Sequence, residues 1–176
     1  MGGLPGQKTK EKTVERLLLD NYDHYYRLAY SYVHNESDAG DIVQNAAYKA
    51  IKNSKSLKQK KYAATWLYRI VANEIFAALK QKKHEPLDAI EEPCAKDTYE
   101  DIDLKQALER LPAEDKLIVE LKYFEEMKLE EIAIILNENV NTVKSRLYRS
   151  LRKLRVMIEE DWMYAENQGG RPCITD

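Results

Sequence analysis

Apolar residues recur at spacings of three and four along most of this chain, which is the period of an amphipathic helix. Residues 14–34, VERLLLDNYDHYYRLAYSYVH, read as one helix with a broad apolar stripe. SDAGDIVQNAAYKAIKN predicts a second, with Ser37 as its N-cap. Asp38 and Asp41 then fall in the first turn, where the helix dipole favours negative charge. A third covers AATWLYRIVANEIFAALKQKK, with Trp66, Ile70, Ile75 and Leu79 packing inward and a cationic end. Between the second and third lies NSKSLKQKKYAAT, a basic, mobile-looking loop bordered by Tyr62 and Trp66.

From Asp103 the helical pattern resumes. Leu104, Leu108 and Leu111 recur at i, i+4 and i+7 before Pro112, which marks a break or the next helix start. Leu117, Leu121 and Phe124 carry the following helix. Leu129, Ile132, Ala133 and Leu136 share a face of a short one that stops at Asn137, a residue that tolerates left-handed backbone. After a turn of a few residues, Asn141 or Thr142 is expected to cap another helix. Its apolar positions Val143, Leu147, Leu151 and Leu154 make a stripe about 80° wide at 100° per residue. The rest of its circumference holds Lys144, Ser145, Arg146, Tyr148, Arg149, Arg152, Lys153 and Arg155. One side is built to pack and the other to meet an anion.

Charge sharpens this picture. The 176-residue chain has a formal net charge of −2, but that sum hides strong segregation. Residues 49–83 hold ten basic residues against Glu74 alone, and residues 137–157 hold six against Glu138 alone. Between them, residues 85–103 hold eight acids and one Lys, with Pro86 and Pro93 and no helical period. That strip reads as a flexible acidic linker between two small helical domains, 10–84 and 104–160, with a disordered tail at 161–176. A polyanion would meet the two basic patches, not the global charge.

Composition excludes other classes. At 44% hydrophobic and 33% charged residues the chain can bury cores under a well-solvated surface, and six Gly with five Pro suit helices joined by short turns. Twelve Tyr against two Phe favour rings that tolerate a wet edge. Cys94 and Cys173 offer neither a disulfide framework nor metal-ligand spacing, which fits a reducing cytoplasm. The N-terminus MGGLPGQKTKEK is not a signal peptide, and no apolar run reaches the ~18 residues of a membrane span. No nucleophile–base arrangement, phosphate-cradling Gly loop or metal cluster is present, and His24, His34 and His84 are scattered. An enzyme, a cofactor and a metal site are therefore not expected.

Two helices joined by a tight turn, the second basic, describe a helix-turn-helix. Asn141, Thr142, Lys144, Ser145, Arg146 and Arg149 would then enter the major groove. Arg152, Lys153 and Arg155 are better placed for the phosphate backbone. In the N-terminal half, a basic loop beside aromatic rings suits single-stranded nucleic acid. A solvated basic surface helix and a plain core role for Trp66 and Tyr68 remain the alternatives at this level.

Taken in series, three segments resemble RNA polymerase sigma factors of the extracytoplasmic-function (ECF) group, over roughly residues 14–158. DHYYRLAYSYVHNESDAGDIVQNAAYKAI resembles the family's polymerase-binding region, and TWLYRIVANEIFAALKQKK its promoter-melting and −10-reading region. ALERLPAEDKLIVELKYFEEMKLEEIAIILNENVNTVKSRLYRSLRKLR resembles its −35-binding domain. The resemblance implies an all-α, two-domain bacterial cytoplasmic factor whose partners are core RNA polymerase, promoter DNA and an anti-sigma factor, often membrane-anchored. It implies a polymerase-docking segment of Asp38, Asp41, Ile42, Val43 and Gln44. It also implies a −10 and melting surface of Lys58, Lys60, Lys61, Tyr62, Trp66, Tyr68, Arg69, Asn73 and Lys80. Ala77 stands where the family usually places an aspartate. A helix-turn-helix regulator that binds operator DNA without polymerase is the alternative, and it leaves DAGDIVQ unexplained.

Overall fold

The computed structural model describes residues 5–82 and 99–167, with side chains at 9–82 and 104–159. Most of the expected linker, the end of the expected tail, His84 and both cysteines lie outside the described residues. Among the described residues there is no strand; the chain is all-α, as the periodicity requires. It forms two compact units, residues 1–93 with 130–138, and residues 94–129 with 139–176.

In the first unit, α1 (Pro5–Asp20) and α2 (Tyr22–Val33) replace the single helix expected over 14–34. The break is one residue wide. Asn21 leaves helical geometry at φ −118°, ψ 17°, and its side-chain amide turns back to the Leu17 carbonyl at 2.9 Å. His34 closes α2 in left-handed conformation, its N–H donating to the Tyr30 carbonyl. Helix α3 (Glu36–Lys52) is capped by Asn35 and not by the expected Ser37. Asn35 is extended, so its Oδ1 can accept from the Asp38 N–H at 3.0 Å, whereas Ser37 already lies inside the first turn.

Helix α4 (Ala63–Lys82) completes this unit with α1, α2 and α3 packed around it. Alanines 39, 46 and 50 of α3 are buried, and these small side chains let neighbouring helices approach closely. The α4 core is Leu67, Tyr68, Val71, Ala72 and Ile75; the expected Trp66, Ile70 and Leu79 are only half-buried. Two ion pairs of 2.6 Å, Lys49–Glu74 and Lys82–Asp38, tie α3 to α4. The expected mobile loop between them contains two short 3-10 turns, Ser54–Ser56 and Lys60–Tyr62, anchored by buried Ser54 and Leu57.

The second unit comprises α5 (Tyr99–Glu109), α6 (Ala113–Tyr123) and α8 (Val140–Asn167), with α8 packed on both others. Helix α5 begins inside the segment expected as linker, and α8 runs into the segment expected as tail. The core is Ala107, Leu108, Leu111, Leu117, Ile118, Leu121, Val143, Leu147 and Leu154. Leu104 and Phe124, placed in the core by spacing, are exposed. Lys116 is buried on α6, where Glu109 of α5 accepts from it at 2.7 Å and Glu120 lies 4.0 Å away. The two carboxylates keep the lysine from standing as an unpartnered group in the core.

Helix α7 (Leu129–Leu136) buries Ile132, Ala133 and Ile135. It ends as the sequence predicts, with Asn137 left-handed at φ 56° and the Glu138 N–H donating to the Ala133 carbonyl at 3.0 Å. Residues 130–138 group with the first unit, whereas the sequence-level division assigns them to the second.

Candidate nucleic-acid interface

Residues 137–139 join α7 to α8, so the turn is as short as expected. The cap of α8 lies two residues before Asn141, the nearer of the two expected positions: Asn139 Oδ1 accepts from the Asn141 N–H at 2.8 Å. Asn141 and Thr142 are thereby already in the first helical turn, with side chains exposed. Along α8, Lys144, Ser145, Tyr148, Arg149, Arg152, Lys153 and Arg155 are exposed, and no acid occurs from 139 to 158. Arg155 is ion-paired with Glu159 at 2.7 Å, and that hydrogen bond raises its pKa above the usual arginine value. Tyr148, 61% exposed among these cations, was not among the expected readers.

Arg146 is placed differently from its neighbours. Its Nε donates to Asp115 Oδ1 at 2.7 Å and its Nη2 to Glu114 Oε2 at 2.9 Å, both on the first turn of α6. Its side chain is only 16% exposed. The helical period accounts for this. Arg146 lies about 60° from Val143 on the α8 wheel, at the border of the packed stripe. Ser150 falls about 20° from Val143, between it and Arg146, and is buried, its hydroxyl donating to the Arg146 carbonyl at 2.9 Å. Its burial carries no sequence signal, because an isolated serine in a basic helix reads as surface.

In the first unit, the −10 candidates separate in the same way. Lys58, between the two 3-10 turns, and Lys60, Lys61 and Tyr62, on the second, are exposed, with the Lys61 ammonium 4.7 Å from the Tyr62 ring centre. Trp66 and Arg69 are half-buried and Asn73, Ala77 and Lys80 exposed; all five lie within about 80° on one face of α4. Tyr68 is the exception and a correction. It is 6% exposed and meets the Tyr25 ring edge-on at 4.9 Å, so it cannot stack on a base. One hundred degrees per residue puts it about 160° from Trp66, on the core side.

The docking candidates need a correction too. Ile42 and Val43 are 5% and 2% exposed and belong to the core of the first unit. Asp38 is half-buried and paired with Lys82. Asp41 and Gln44 are exposed, and Asn45 and Tyr48 share their face at i+4 and i+7. A second exposed feature runs along α2, where Tyr22, Tyr26 and Tyr30 stack at 6.2 and 6.3 Å. Partial burial, followed by the Glu36 carboxylate, raises the Tyr26 phenol above its ordinary pKa. Among the described residues no group of His, Cys, Asp and Glu could hold a metal, and no helix is long and apolar enough to cross a membrane.

Two families match this chain in sequence: Sigma-70 region 2 over residues 17–85, and Sigma-70, region 4 over residues 101–154. These two regions in this order define a sigma-type transcription initiation factor. RNA polymerase sigma factor SigV of Bacillus subtilis (strain 168) is 40% identical over 86% of this chain and 97% of its own length. The ECF RNA polymerase sigma factor SigW of the same organism is 30% identical over 81% of this chain and 88% of its own. The chain belongs to the ECF sigma factors, which bind core RNA polymerase, recognise −35 and −10 promoter elements and initiate transcription.

Two solved structures share the fold. The sigma factor RpoE of Bartonella quintana, in complex with the anti-sigma factor NepR, matches with a TM-score of 0.68 at 22% identity, over 82% of this chain and 96% of that one. CnrH, in complex with the cytosolic domain of CnrY, matches at 0.63 with 19% identity, over 84% and 88% of the two chains.

Proposed function

We propose that α8 reads the −35 element, with Asn141, Thr142, Lys144, Ser145 and Arg149 toward base edges and Arg152 and Lys153 on phosphates. The observation that carries this reading is the exposed, acid-free face of α8, on which Lys144, Arg149, Arg152 and Lys153 stand without a carboxylate partner among the described residues. Guanidinium and ammonium groups on such a face can donate to guanine O6 and N7 or to phosphate.

The −10 element would meet Lys58, Lys60, Lys61, Tyr62, Trp66, Arg69, Asn73 and Lys80. Their cations draw in the backbone, and the Tyr62 and Trp66 rings offer stacking worth about 1–3 kcal/mol per base. Core polymerase would dock on Asp41, Gln44, Asn45 and Tyr48, with Ile42 and Val43 supporting that face from beneath. The protein supplies binding and positioning, and contributes no catalytic group of its own. It acts in the cytoplasm on a specific, stress-response regulon, under an anti-sigma factor of the kind found with its structural relative.

Transcription in vitro with purified core polymerase on a promoter library tests the whole reading. Start sites should share a −35 and a −10 sequence. No start above that of core alone would refute it.

A further inference from the structure

Arg146 sits in the middle of the basic helix and would count as a DNA contact on charge alone. Its environment says otherwise. Both arms of the guanidinium are engaged by carboxylates, at 2.7 Å to Asp115 and 2.9 Å to Glu114, and Asp115 is itself only 17% exposed. Both acids stand in the first turn of α6, where the helix dipole stabilises their charge. A planar guanidinium held by two carboxylates fixes rotation as well as distance, which an ammonium cannot do. Arg146 lies between Lys144 and Arg149, and its own carbonyl accepts from buried Ser150. Rotation of α8 about its axis would break both ion pairs.

We propose that Arg146 is a positioning residue: with Asp115 and Glu114 it locks the rotation of α8 against α6, and thereby aims the base-reading side chains without touching DNA. This rests on the reading of α8 as the −35 reader. It makes two acids near the DNA face determinants of affinity, contrary to their charge. An acid that only repelled phosphate would give tighter binding when neutralised.

The test uses holoenzyme, formed from the full chain and core polymerase. Its probes are a duplex selected by that holoenzyme from a random library and a scrambled duplex, across a salt series. Arg146→Gln should lower the specificity ratio on the order of tenfold, with the scrambled duplex bound within about twofold and the salt slope unchanged. Asp115→Asn should lower the ratio too, and Arg146→Lys should restore it only in part.

A slope reduced by about one in Arg146→Gln would make Arg146 a phosphate contact and overturn the proposal. Tighter binding by Asp115→Asn, or a lowered melting temperature with an unchanged ratio, would overturn it as well. Should Arg146→Gln fail to fold, the isosteric Asp115→Asn decides alone. Lys153→Gln serves as the phosphate control and should lower the slope by about 0.9. If it changed neither affinity nor slope, α8 would not be the DNA-facing helix, and the brace would fall with that reading.

Discussion

Successive residues on α8 are offset by about 100°, so Arg146 and Arg149 stand about 60° apart, and that rotation separates a packed guanidinium from an exposed one. Arg149→Ala should cost about 1–3 kcal/mol of affinity at a matched −35 duplex and much less on scrambled DNA, as fluorescence anisotropy would report. An equal loss on both would make Arg149 a phosphate contact. The same logic applies on α3, where exposed Asp41 follows buried Ala39 by two positions. Asp41→Ala should weaken capture of core polymerase while helix content, read by circular dichroism, stays the same. Unchanged capture would remove this face from the docking surface.

At the scale of the element, boundaries are set by single side chains. Asn35 and Asn139 each supply the side-chain acceptor that starts a helix, α3 and α8 respectively. Asn35→Ala should lower the stability of the first unit by about 1 kcal/mol in urea denaturation. Ser37→Ala should leave it nearly unchanged, since Ser37 is exposed inside the helix. Both asparagines sit among several polar residues able to cap, so sequence narrows the start of each helix to two or three positions. Only the extended backbone at Asn35 selects among them. Interior positions depend on packing too: of the α4 residues expected inside, only Ile75 is buried, and Leu67 takes the place of its neighbour Trp66. Leu67 is 1% exposed in the heart of α4, and Leu67→Ala should cost about 2–5 kcal/mol.

At the scale of the molecule, a chain of net charge −2 presents basic surfaces, because charge is sorted by segment and then by helix face. Binding of the holoenzyme to promoter DNA should therefore weaken steeply and linearly in log–log salt plots. Replacing Arg152 and Lys153 together by Gln should flatten the slope by about 1.8. A slope insensitive to both would place the phosphate contacts elsewhere. The residues proposed to face DNA and polymerase are polar and charged at helical spacing, and the exposure of most of them follows from that spacing.

The apolar period, the segregation of charge and the order of the three segments were enough for the all-helical class, the two-unit plan and the sigma-factor family. They are properties of neighbours in the chain, so they survive without a fold. Tertiary packing decided which side of each helix faces inward: it buried Ile42, Val43 and Tyr68 and drew Arg146 onto Asp115 and Glu114. Charge and aromatic character say what a side chain can bind. Whether it is free to do so depends on the helix packed beside it, and that helix comes from another part of the chain.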